Sequence, residues 1–198
     1  MTPPWLKPAV FFLCLIPLGW YVFGIWMDAL GANPIETITR GLGTWTLNFL
    51  LLTLLMSPLK RHAGWRWPLD LRRMLGLFVF FYASLHLLTY LWLDQFFDWP
   101  AIVKDILKRP FITAGMGAFL LLVALAATSN SCAVRTLGGR RWQRLHRSVY
   151  LVGMLGVMHY LWLVKVDLSR PLVYALLLAV LLTLRVIPRH AANARRTL

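Results

Sequence analysis

Acidic side chains are scarce in this chain: seven Asp and Glu stand against 21 Lys and Arg in 198 residues, giving a formal net charge of +14. Cysteine is scarcer still, with only Cys14 and Cys132. One falls in an apolar run and the other in a polar stretch, so no disulfide framework is expected. No G-x-G-x-x-G follows a strand pattern, which excludes a dinucleotide-binding module of the usual kind. Low-complexity linkers, short repeats and a second domain are likewise missing.

Apolar residues fill the space that these absences leave. They make up 59% of the chain, and the mean hydropathy is +0.65, far too high for a soluble domain of this length. The reading is an all-α integral membrane protein, a single domain over 1–198, built as a bundle of six transmembrane helices. The spans fall at about 9–27, 44–59, 74–93, 111–128, 149–164 and 172–187. Lys7 followed by an apolar stretch resembles a signal sequence, but with no A-x-A-like cleavage site it reads as a retained first helix.

Charge orients the bundle. With the N-terminus inside, fifteen cations lie on the cytoplasmic side, among them Arg72, Arg73, Arg144, Arg147, Arg189, Arg195 and Arg196. Six lie outside, including Arg40, Arg109 and Arg170. The positive-inside rule therefore puts both termini in the cytoplasm. Because these cations flank apolar runs rather than forming a basic domain, the positive charge is assigned to topology and contact with the lipid membrane, and nucleic acid is excluded as a partner.

Two histidines lie deep inside spans. His86 is thirteen residues beyond Arg73, and His159 is twelve beyond Arg147. At about 1.5 Å per residue, both sit roughly 18 to 20 Å from the same face of a hydrocarbon layer about 30 Å thick. An ionisable ring at that depth needs a partner, and two at one depth suggest a shared ligand. Imidazole is a good iron ligand, and with no C-x-x-C-H motif for covalent attachment, a haem held there is b-type.

His146 is a third candidate, thirteen residues before His159 and near the cytoplasmic border. A second, inner haem there would need a local adjustment of the helix near Gly153 or Gly156. On the facing helix, Arg72 and Arg73 stand where its partner histidine would be. Tyr82, four residues before His86, shares its helical face and reads as pocket lining or as plain packing. From the residues alone, a transporter or proton channel using the same histidines as a relay stays open beside the haem reading.

The histidine pattern resembles the ferric reductase-like transmembrane superfamily shared with the NADPH oxidases. Within it, the stretch Arg72-Arg73-Met74-Leu75-Gly76-Leu77 leading to Tyr82 and His86, then Trp142-Gln143-x-Leu145-His146-Arg147 and His159-Tyr160, resembles the MsrQ family over essentially the whole chain. That resemblance implies a subunit of the bacterial inner membrane binding haem b and FMN. It implies electrons from the quinone pool or a cytoplasmic flavin reductase, passed to a periplasmic molybdenum-containing partner that reduces methionine sulfoxide in oxidised proteins. Catalysis then resides in the partner. The three family histidines fall on His86, His146 and His159; one haem is implied by the first and third, a second by His146. A stand-alone ferric or quinone reductase is the neighbouring alternative. For FMN, Gly138-Gly139-Arg140-Arg141 reads either as a phosphate contact or as a glycine turn before a helix.

Overall fold

A computed structural model describes residues 3–186. Ile187, at the end of the last predicted span, and Arg189, Arg195 and Arg196 of the cytoplasmic cation group lie outside the described residues. Every element in the described residues is helical: α1 (Leu6–Trp26), α2 (Pro34–Pro58), α3 (Pro68–Leu88), α4 (Trp99–Lys108), α5 (Pro110–Ala127), α6 (Ser131–Leu137), α7 (Gly139–His146), α8 (Val149–Leu163) and α9 (Ser169–Val186). Two of them continue in π-helical turns, α2 through Leu59–Ala63 and α3 through Thr89–Asp94.

Helix starts follow local chemistry. The Asn33 side chain accepts from the Glu36 N–H at 3.2 Å, with Pro34 opening α2; Asp98 caps α4 through the Ala101 N–H at 3.1 Å, and Asn130 caps α6 through the Ala133 N–H at 2.7 Å. Each side-chain oxygen satisfies an N–H that has no partner inside its helix. Pro68 and Pro110 open α3 and α5, where a missing N–H costs nothing.

Five helices are long and apolar enough to cross a membrane, namely Leu6–Trp26, Pro34–Ala63, Pro68–Asp94, Pro110–Ala127 and Ser169–Val186. They make the chain a multi-pass membrane protein. The predicted span at 149–164 is the helix Val149–Leu163, whose 15 residues fall short of that length. The predicted start of the second span at 44 is also ten residues late, because the polar first turns of α2, Pro34 to Gly43, escape a hydropathy reading.

α2 is the hub: half of its most apolar window is buried, against 17% for α1 and α9. It pairs with α3, touches α1, α8 and α9, and faces the second close pair, α5 with α8. Leu42, Leu50, Leu54, Val79 and Tyr82 are almost wholly buried between these helices. The outward faces of α1 and α9 expose Phe12, Trp20, Leu172 and Leu176, as lipid-facing surfaces do.

Two polar ties reach across the bundle. Tyr82 is fully buried and turned toward α1: its hydroxyl donates to the Cys14 carbonyl at 2.7 Å and accepts from the Leu18 N–H at 3.2 Å. That carbonyl and that N–H are four residues apart on α1 and flank Pro17, which lies inside the helix. Of the two roles expected for Tyr82, packing between helices is the observed one. At the opposite end, Arg185 of α9 reaches the Leu54 carbonyl at 2.5 Å and the Tyr150 hydroxyl, while Arg61 and His62 bind the carbonyls of Arg185 and Leu184.

Candidate functional site

His86 of α3 and His159 of α8 face each other with ring centroids 6.0 Å apart and planes at 79°. Both are half-buried and line a cavity of about 1040 Å³ between the α2–α3 and α5–α8 pairs. The two rings that the sequence reading puts at one depth meet in this cavity.

The rings are held alike. His86 Nδ1 donates to the Thr39 carbonyl of α2 at 2.8 Å, and His159 Nδ1 donates to the Phe111 carbonyl of α5 at 2.6 Å. A carbonyl can only accept, so in both rings Nδ1 carries the proton and Nε2 keeps its lone pair for a metal. A backbone carbonyl behind a metal-binding imidazole is a recurrent arrangement that fixes tautomer and ring orientation. Each ring also lies against a glycine on the helix that supplies the carbonyl, His86 on Gly43 and His159 on Gly115.

Beyond His86 the backbone changes pitch. The Thr89 hydroxyl donates to the His86 carbonyl at 2.8 Å, and the π-helical turn Thr89–Asp94 begins there. Single π-helical turns are rare and often sit beside functional residues. The turn ends at Asp94, one of the exposed charged residues that line the cavity with Arg40, Arg109, Asp167 and Arg170. Arg40 pairs with Glu36 at 2.5 Å, and Arg109 with Asp105 at 3.3 Å. Hydrogen bonds from Ser169 hold the Asp167 carboxyl below the usual carboxylate range.

Such a site suits iron in a macrocycle better than a bare ion. Among the described residues no group of three or more His, Cys, Asp or Glu could hold a metal, so two imidazoles would have to be completed by equatorial ligands from elsewhere. The two Nε2 atoms, left unprotonated by the hydrogen bonds at Nδ1, are the groups that would hold such an iron, and the ring centroids lie 6.0 Å apart. The Thr39 hydroxyl borders the cavity buried and without a partner among the described residues.

His146 is elsewhere. It ends α7, its Nε2 lies 3.0 Å from the Thr128 hydroxyl, and its ring stacks on Trp142 at 3.9 Å. Burial lowers its pKa, the Arg72 charge adding to that effect and the hydrogen bond to Thr128 opposing it. The chain breaks its helix at Arg147–Ser148, between α7 and α8, rather than at Gly153 or Gly156; these two sit inside α8, packed on Leu178 and Leu47. Gly138, with φ of 73°, joins α6 to α7 as a turn.

Sequence reasoning missed Gly43, Gly115, the two carbonyls and the arginines on the cavity lining. The glycines did carry a signal, since a glycine inside a helical pattern usually has a packing or functional reason.

A family model described as ferric reductase like transmembrane component matches residues 42–157, a stretch that holds His86 and His146 and stops two residues before His159. A protein of Azospira oryzae, named protein-methionine-sulfoxide reductase heme-binding subunit MsrQ, is 61% identical over 95% of this chain and 81% of its own length. Proteins of the same name from Rhodospirillum rubrum and Herminiimonas arsenicoxydans are 55% and 50% identical, over 96% and 93% of this chain and 90% and 87% of their own. Similar along nearly its whole length to these relatives, and carrying the ferric reductase-like segment, the chain belongs to the MsrQ family of multi-pass membrane proteins.

Proposed function

We propose that this chain is a b-type haem electron-transfer subunit of a methionine sulfoxide reductase system. The observation that carries the proposal is the His86–His159 pair: two facing imidazoles, 6.0 Å between centroids, each with Nδ1–H tied to a helix carbonyl and Nε2 left as a donor to iron. The relatives' name, with its haem-binding role, supports the cofactor. A bound haem supplies a one-electron couple, tuned by its axial ligands and its burial. The protein supplies the two imidazoles, the cavity between the helix pairs, and Arg170 on its lining to meet acidic substituents.

In the same reading α8 is a sixth crossing, both termini lie in the cytoplasm of a bacterial inner-membrane protein, and the charged residues of the cavity lining face the periplasm. A sixth crossing lets His159, near the end of α8, share the level of His86. Electrons come from a quinol or a cytoplasmic flavin reductase, with FMN as a further cofactor. They leave for a periplasmic molybdenum-containing subunit that reduces methionine sulfoxide. Cys132, exposed on α6, tests the orientation. A membrane-impermeant maleimide should label it in inside-out vesicles and not in spheroplasts, whereas Ser169→Cys should behave the opposite way. Labelling of both from one side would remove the sixth crossing.

The haem itself is tested by a reduced-minus-oxidised spectrum and pyridine haemochrome quantitation of purified protein. A sharp b-type band at one haem per chain is the expected result, and colourless folded protein would overturn it. We assign His146 a packing role at the α5–α7 contact, so His146→Ala should keep that haem. Two haems per chain, one lost in His146→Ala, would assign His146 as the inner ligand instead.

A further inference from the structure

We propose that Gly115 and Gly43 are positioning residues for the two histidines: each leaves bare the strip of helix on which an imidazole lies, so that the ring can reach the carbonyl one turn earlier. The inference rests on the haem reading above and extends it from the ligands to the helices behind them.

The argument starts from helix geometry. The carbonyl of residue i−4 points along the axis toward residue i. Thr39 and Phe111, whose carbonyls receive the Nδ1–H groups, lie four residues before Gly43 and Gly115. Each carbonyl has a second lone pair beyond the one used within the helix. A side chain on residue i would cover the approach to it.

The distances show how little room there is. A Cβ on Gly115 would stand 2.9 Å from His159 Nδ1 and 3.1 Å from its Cε1. A Cβ on Gly43 would stand 3.2 Å from both Nδ1 and Cε1 of His86. The first is shorter than real Cβ contacts, and the second needs a shift of a few tenths of an ångström. What must give way in either case is the ring that holds the metal. A Cβ on the neighbouring Gly117 would meet only Leu155, at an ordinary 3.7 Å.

Alanine favours a helix over glycine, so Gly115→Ala should not weaken α5 itself. Displacing the ring should lower haem affinity roughly 10- to 100-fold, as losing the carbonyl behind a ligand does. It should also change the low-spin EPR signal of whatever haem remains, because that signal follows the orientation of the axial rings. Gly43→Ala should do the same more weakly, and Gly117→Ala should match wild type in both. Gly115→Ala with wild-type affinity and EPR signal overturns the proposal. Should that variant fail to accumulate in the membrane, Gly43→Ala decides, a wild-type signal there being the refuting result. A colourless wild type sinks the haem reading instead. Ring placement is then read from the Nδ1–H resonances of histidine-labelled protein: a shift in Gly115→Ala but not in Gly117→Ala supports the proposal, and unchanged resonances refute it.

Discussion

Purified with His86→Ala or His159→Ala, the protein should carry less than about a tenth of the wild-type haem, because removing a ligand costs more than the 10- to 100-fold typical of its supporting shell. The physical reason is the symmetry of the site. Neither ring has a substitute within reach, since no further His, Cys, Asp or Glu joins them in a metal-holding group among the described residues. Pyridine haemochrome on the purified protein, normalised to its concentration, measures the effect. His62→Ala is the control, because that imidazole binds the Leu184 carbonyl at the opposite end of the bundle. Wild-type haem in either cavity variant would remove the axial pair as the site.

Tyr82→Phe should destabilise the bundle by about 1–3 kcal/mol, the cost of leaving a buried polar group unpaired. Its hydroxyl serves both the Cys14 carbonyl and the Leu18 N–H. In hydrocarbon neither group can turn to water. Phenylalanine keeps the ring, which packs at 5.0 Å from Phe49, so the loss isolates the hydroxyl. The second readout is Cys14, at present 4% exposed. As α1 loosens from α3, a small membrane-permeant thiol reagent should label it several-fold faster. Wild-type resistance to denaturant together with an unlabelled Cys14 would show that α1 closes its own hydrogen bond without help.

What sequence could reveal here was depth along a helix. His86 and His159 are recognisable because apolar runs of known rise follow their flanking cations. The count gives equal distances along two helices, and only the fold shows that those helices bring the rings together. Boundaries were less legible wherever a helix begins polar. Pro34 to Gly43 contains Glu36 and Arg40, so hydropathy missed the first turns of α2, although Asn33, Pro34 and Glu36 form a recognisable start. Spacing places Tyr82 on the face of His86, but the partners that decide its direction, the Cys14 carbonyl and the Leu18 N–H, lie on α1, 68 and 64 residues earlier. The π-helical turns and the break at Arg147–Ser148 have no local sequence cause that periodicity detects.

The paired arrangement behind the two imidazoles has a consequence for assembly. α2 with α3 and α5 with α8 each complete one half of the site internally, carbonyl, bare helix strip and ring together. Neither half waits for the other to orient its ring. The haem proposed here would bridge two halves that are already built, joining them across a seam that α9 also spans through its contacts with α2 and α8.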